Sequence, residues 1–261
     1  MRPRLSILGI GALALVMALT GGCAKGRRKS RVWTQAQAER ILMEALQSES
    51  PDERRRAVER VSDSKYGDSD VSVQTMSLIV RTDTSQVVRR VAARGLGQSR
   101  HASAFEPLLQ VLDASNHAQD IREPDAALRR ACLEAVDRLM QAEVPHDGES
   151  QLVQLVAQAM LTDGDRSVRI AAAQLLRRFQ NPDALDALIE VLQVPEFAVG
   201  YEAEQSLIAL TGHTHNRHYD AWRRWREEAD HPFADAGRTP PELAGDGQDR
   251  LVATLRKVNR V

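Results

Sequence analysis

The sequence predicts an all-α chain, an α-solenoid of about five stacked helix pairs, and three observations predict it. The first is self-similarity. Asp83-Thr-Ser-Gln-Val-Val88-Arg89-Arg-Val-Ala92-Ala93-Arg-Gly-Leu96 aligns with Asp163-Gly-Asp-Arg-Ser-Val168-Arg169-Ile-Ala-Ala172-Ala173-Gln-Leu-Leu176, 80 residues further on. The second is that apolar residues between such copies recur at helical spacing, as in Phe105, Leu108, Leu109 and Leu112. The third is that no segment alternates polar and apolar residues with β-branched enrichment, so no sheet is expected. Self-similarity at this period marks units that cannot bury an apolar face alone and are stable only when stacked.

Taken in chain order, Thr34 and Gln37 ahead of Ile41, Leu42, Ala45 and Leu46 form a capping box that opens an amino-terminal helix. The first helix of each repeat then follows. Its copies are Arg54, Ala57, Val58 and Val61; Arg89, Ala92, Ala93 and Leu96; Arg129, Cys132, Leu133 and Val136; and Arg169, Ala172, Ala173 and Leu176. A fifth copy runs Val199, Ala203, Leu207 and Leu210, with Gly200 in the arginine's place. Successive spacings are 35, 40, 40 and 31 residues. Each copy has an apolar second helix, and Asn181-Pro182-Asp183 is the turn and cap before the one carrying Leu185, Leu188 and Leu192. The solenoid is expected to span residues 34–228, closing on Trp222 and Trp225. Residues 229–261 read as a linker with a short amphipathic helix at Leu251, Val252, Leu255 and Val258.

Composition narrows the function. With 35 basic against 36 acidic side chains, the chain lacks the basic surplus of a nucleic-acid binder, and no nucleic-acid partner is expected. Two cysteines exclude a disulfide framework and a Cys-rich zinc module. There is no Gly-rich phosphate loop, no nucleophile elbow and no His-Glu-x-x-His helix, so the expectation is a chain that is not an enzyme and needs no cofactor. Cys132 sits at a small-residue position and reads as a buried structural thiol. The one candidate for chemistry is His213, His215 and His218, three imidazoles within six residues that a zinc or copper ion would accept. The competing reading is a solvated loop.

Residues 1–22 read as an export signal: Arg2 and Arg4, then an uncharged run from Leu5 to Leu19, shorter than the roughly 20 residues of a bilayer span. Gly21, Gly22 and Cys23 resemble the bacterial lipobox, although Thr20 stands where that pattern usually has an aliphatic residue. The resemblance implies a lipid on Cys23, a basic tether over residues 23–33, and a place in the bacterial cell envelope, periplasm-facing or surface-exposed. Ala24 after the cysteine favours the outer membrane. The alternatives are an uncleaved anchor, since Lys25, Arg27, Arg28, Lys29 and Arg31 follow the apolar run, and ordinary secretion.

The repeats resemble the HEAT family, in particular the short form of the phycobilin lyases, over about residues 50–228. The resemblance implies a right-handed superhelix in which an Asp and an Arg of neighbouring repeats form a ladder. Asp83, Arg89, Asp163 and Arg169 match that motif, and Arg129 matches with Glu123 in the acidic place. Ala209-Leu210-Thr211-Gly212 and Tyr219-Asp220-Ala-Trp222-Arg-Arg-Trp225 are similar to the closing segment of many bacterial members. In the family the first helices line the convex side and the second helices the concave side. Here the first helices carry net positive charge and the second helices net negative charge. The expected partner is therefore an envelope protein, or a basic segment of one, held at Glu106, Asp113, Glu149, Asp186 and Glu190 in a membrane-tethered scaffold. The other readings are a metal-dependent protein centred on the histidines and a HEAT-like lyase acting on a bound chromophore.

Overall fold

The computed structural model describes residues 34–113 and 122–240, together with Leu243. The chain divides into two units, residues 1–33 and Thr34–Val261. The signal, the tether and Cys23 lie outside the described residues, as do Leu251, Val252, Leu255 and Val258. Among the described residues there are eleven α-helices and no strand, and no helix is long and apolar enough to cross a membrane.

The helices are α1 (Gln35–Leu46), α2 (Pro51–Ser62), α3 (Asp70–Thr82), α4 (Gln86–Gln98), α5 (Phe105–Leu112), α6 (Ala126–Gln141), α7 (Glu149–Thr162), α8 (Arg166–Leu176), α9 (Pro182–Glu190), α10 (Phe197–Thr211) and α11 (Tyr219–Glu228). They form two layers. In the first, α2, α4, α6, α8 and α10 pack side by side in order; in the second, α1, α3, α5, α7, α9 and α11 do the same. This is an α-solenoid. A second-layer helix packs more extensively on the first-layer helix that follows it than on the one before. The linkers give the reason: Asp83–Ser85 and Asp163–Asp165 are tight turns, whereas α2 and α3 are separated by residues 63–69.

Side chains start most of these helices. Thr34 Oγ1 accepts from the Gln37 N–H and Gln37 Oε1 accepts from the Thr34 N–H, so two of the donors that a helix start leaves open are satisfied reciprocally. Asp125 caps α6 through the Leu128 N–H at 2.7 Å, Asp165 caps α8 through Ser167, and Asn181 caps α9 ahead of Pro182.

The core lies between the layers and is built from the repeated positions. Val58, Ala92, Ala93, Leu96, Leu128, Cys132, Leu133, Val136, Ala172, Ala173 and Leu176 are all buried. Small residues set the approach of neighbouring first-layer helices. A Cβ on Gly97 would lie 2.6 Å from Ala135 Cα, so α4 and α6 meet there backbone to backbone.

Candidate functional site

A column of arginines joins each repeat to the next. Arg54 of α2 is 8% exposed and clamps Asp83, at the end of α3, with Nε on Oδ2 at 2.8 Å and a terminal nitrogen on Oδ1 at 3.0 Å. Its remaining donors take the Ser48 carbonyl oxygen and the Thr84 hydroxyl. Arg129 repeats the fork on Asp163 at 2.6 and 2.8 Å and adds the Pro124 carbonyl. In both cases the hydrogen bond that the guanidinium donates to the aspartate is the main reason its pKa is raised. The aspartates do a second job, since Asp83 and Asp163 accept the N–H of Ser85 and Asp165 and so fix the turn into the next helix. Arg169 pairs with Glu196 ahead of α10.

One rung differs from the sequence expectation. Glu123 contributes no carboxylate to the column; its side chain is exposed. Arg89, 1% exposed, is held by main-chain oxygens of Val80, Arg122 and Glu123 at 2.8, 2.7 and 3.1 Å. The segment ahead of α6 is itself pinned to the end of α3 by Arg122 N–H on Arg81 O, which aims those carbonyls at the guanidinium. Burial then lowers the pKa of Arg89. Arg54 and Glu196 complete the column and were not among the expected ladder residues. The arginine of the earliest repeat copy was the available signal for Arg54.

The column ends at Gly200, and among the described residues no first-layer helix follows α10. Four residues on, at the core position held by Val58, Ala93, Leu133 and Ala173, stands Glu204, 4% exposed. Its carboxylate collects the closing loop. Oε1 accepts from Thr214 Oγ1 and from the N–H groups of His215 and Asn216; Oε2 accepts from the Arg217 N–H and, at 2.6 Å, from Trp222 Nε1. Asn216 and Arg217 have φ of 51° and 61°, and this left-handed pair turns consecutive N–H groups onto one anion. Sequence reading passed over Glu204, although a carboxylate at an otherwise apolar repeat position was a visible signal.

That loop carries the three histidines, and the structure does not bring them to one point. His213 packs on Trp225 with ring centroids 5.2 Å apart and lies 3.9 Å from Asp235. His215 meets Trp222 edge-on at 4.7 Å. His218 is exposed ahead of α11. Among the described residues no three His, Cys, Asp or Glu side chains are grouped to hold a metal. Beyond α11, residues expected to be linker lie against α10: the Gly237 N–H donates to Ala209 O, and the Asp235 carbonyl fills the space of a Cβ at Gly212, whose φ is 72°.

The expected partner-binding acids all fall in or at the ends of the second layer. Glu106 and Glu149 stand in the first turns of α5 and α7 and are exposed; Asp113 follows α5. Asp186 and Glu190, on α9, are already engaged by α11: Arg226 Nε lies 2.8 Å from Asp186, and Tyr219 OH donates to Glu190. First-layer arginines are likewise engaged, Arg178 with Asp137 at 2.8 Å and Arg90 with Asp125 at 3.3 Å. Cys132 is fully buried, and burial raises its thiol pKa, which removes thiolate character.

Residues 118–208 match the family model of HEAT repeats. That stretch is built of HEAT repeats. A further stretch, residues 88–114, matches the PBS lyase HEAT-like repeat. No curated protein matches the sequence. Among solved structures, the chain is similar to one in the complex of CpcE and CpcF of phycocyanin lyase from Nostoc sp. PCC7120. The identity is 21% and the TM-score 0.36, over 68% of this chain and 77% of that one. The lyase-type repeat corrects the expectation of a non-enzyme: the absence of a familiar catalytic motif was no ground for excluding a lyase. The repeats therefore point to a HEAT-like scaffold or a lyase.

Proposed function

We propose that this HEAT-repeat chain is an interaction scaffold of the bacterial cell envelope. A lipid on Cys23 holds it at the membrane, and its second layer takes a basic or polar segment of a partner protein. The observation that carries this reading is the continuous second layer, whose successive helices expose acids: Glu106 on α5 and Glu149 on α7, with Asp186 and Glu190 on α9 shared with α11. A stack joined by buried arginine clamps is stiff enough to hold such a surface in one geometry, which lowers the cost of capture. The acyl chains would contribute about 0.8 kcal/mol per buried CH2, and the basic residues 25–31 add attraction to anionic headgroups.

The test is crosslinking and pull-down of the full-length chain from its native host beside Cys23→Ala and Glu106→Lys/Glu149→Lys forms. Membrane partition lost with Cys23→Ala, and capture of one envelope protein lost with the double charge reversal, is the expected result. Equal behaviour of all three forms overturns the reading.

The match at residues 88–114 favours a second reading, a lyase acting on a bound chromophore. Incubation of the purified chain with a bilin and its acceptor protein, followed by absorbance of the covalent adduct, tests it. Adduct formation that depends on the chain would establish the activity.

A further inference from the structure

The outward face of the second layer changes chemistry from one helix to the next. Aligned on the buried Val73, Leu108, Val153 and Leu185, each helix turns outward a stripe of residues spaced i, i+3 and i+7. On α3 the stripe is Val71, Gln74 and Leu78, and on α5 it is Glu106, Leu109 and Asp113. On α7 it is Gln151, Gln154 and Gln158, and on α9 it is Asp183, Asp186 and Glu190. Leu109 and Asp113 are half-buried and the others exposed. The stripe is thus apolar at both ends on α3, mixed on α5, all amide on α7 and all carboxylate on α9.

Helix stability accounts for neither end of this series. Leu78 is 45% exposed and Val71 36%, and on neighbouring α1 Met43 is 51% exposed, so the large exposed apolar side chains described in this layer gather at one end. At the other end Glu190 closes α9, where a carboxylate opposes the helix dipole, and no basic residue stands in that last turn. Tyr219 and Gln193 give Glu190 neutral donors, which leave its charge in place. Arg226 answers only Asp186, and α11 balances Asp220, Glu227 and Glu228 against Arg223, Arg224 and Arg226. A ligand that runs from apolar to basic explains both the exposed leucine and the terminal carboxylate.

The middle of the series fixes the form of that ligand. A glutamine amide both donates and accepts, which suits the N–H and C=O groups that an extended segment leaves open and a helix pairs within itself. From α3 to α9 there are three interhelix steps, about 24–30 Å in all, which an extended chain crosses in about eight or nine residues. We propose that the partner of the second layer contributes an extended segment of about nine residues, graded in composition along its length. Its large apolar side chains lie at α3, its main chain runs over the α7 glutamines, and its lysines or arginines lie at α9. This rests on the scaffold reading and names the ligand of that same surface.

The test is fluorescence anisotropy of labelled peptides against the full chain in detergent. Three peptides share one composition of leucines, serines and arginines: one runs from leucines to arginines, one is its reverse, and one interleaves them. One graded peptide is expected to bind about tenfold tighter than the interleaved one. Leu78→Asp and Asp183→Lys/Glu190→Lys should each remove that advantage without moving the thermal unfolding midpoint, since all three side chains are exposed. Exchanging the peptide's arginines for glutamates should restore part of the binding to Asp183→Lys/Glu190→Lys. Equal binding of graded and interleaved peptides would overturn the proposal and leave the scaffold reading standing. Indifference to Leu78→Asp, or no recovery on charge exchange, would overturn it in the same way. Binding of none of the peptides would also overturn it, and the crosslinking experiment would then decide the scaffold reading by itself.

Discussion

Arg169 and Ala173 of α8 occupy the same two register positions as Gly200 and Glu204 of α10, and the pairs solve opposite problems. In the middle of the stack the inward group is a cation, because the next second-layer helix ends in an aspartate and the segment ahead of the arginine's own helix offers a carbonyl, as Asp163 and Pro124 O do for Arg129. At the end no such helix arrives. What comes instead is a loop whose open groups are N–H donors, and the buried group is an anion one turn further along. The arginine is replaced by glycine, and the alanine by glutamate. The comparison teaches that the sign of the inward charge is set by what the neighbouring segments present, a carboxylate and carbonyls in the middle and N–H donors at the end, not by the helix that carries it.

The strongest way to break the comparison is at the end. Glu204→Ala strips the loop of its acceptor and leaves buried N–H groups and the Trp222 indole without partners. A loss of about 3–5 kcal/mol is expected in urea unfolding, with a red shift of tryptophan emission. Glu204→Gln keeps one acceptor oxygen and should fall between Ala and the native chain. In the middle, Asp163→Ala leaves the half-buried Arg129 facing nothing and should cost about 3 kcal/mol. The paired change Arg129→Met/Asp163→Ala should recover part of that loss, read from the same unfolding curves. Equal losses for single and double changes would show that Asp163 matters for its turn rather than for its ion pair. A third change leaves the charges alone: Gly97→Ala forces α4 from α6 and should cost about 1–3 kcal/mol despite better helix propensity. The smallest effect belongs to the exposed pair. Arg226→Ala, facing an Asp186 that is 56% exposed, should change stability by less than about 1 kcal/mol.

Acid separates the turns in a different way. The Asp165 carboxyl is held below its usual pKa, first by the Ser167 hydroxyl and then by the Ser167 N–H. A depressed carboxylate contributes stability above the unfolded-state pKa, and that contribution is lost as pH falls through the folded-state value. Ser167→Ala should therefore lower stability at neutral pH, leave the acid end nearly unchanged, and so flatten the fall between them, as measured by thermal unfolding between pH 2 and 7.

How much of this was legible beforehand follows from the same contrast. Helices, repeat phase and core positions such as Ala92, Leu133 and Ala172 are read from periodicity because burial is a local property of each helix face. The ladder was readable as residue types, but not as partners. Arg89 ends on carbonyls because a segment docked elsewhere presents them, and nothing local to Glu123 says that its side chain turns away. Glu204 was hidden by its neighbours: Ala203 and Leu207 carry the apolar pattern, and a pattern tolerates one exception without signalling its cause. The histidines drew attention by composition, whereas the loop's structure depends on its amides, which every residue has. The return of residues 231–240 to α10 rests on one hydrogen bond and on Gly212, so Pro and Gly content alone read as a linker.

The glycine at position 200 bears on how such a chain can lengthen. A repeat added after Thr211 would bring its turn to a helix with no guanidinium to receive it, and to a carboxylate already spoken for. Duplication between Arg54 and Arg169, by contrast, copies donor and acceptor together and leaves every junction matched. An added repeat thus fits in the interior of the stack, whereas at this end the junction would have to be rebuilt.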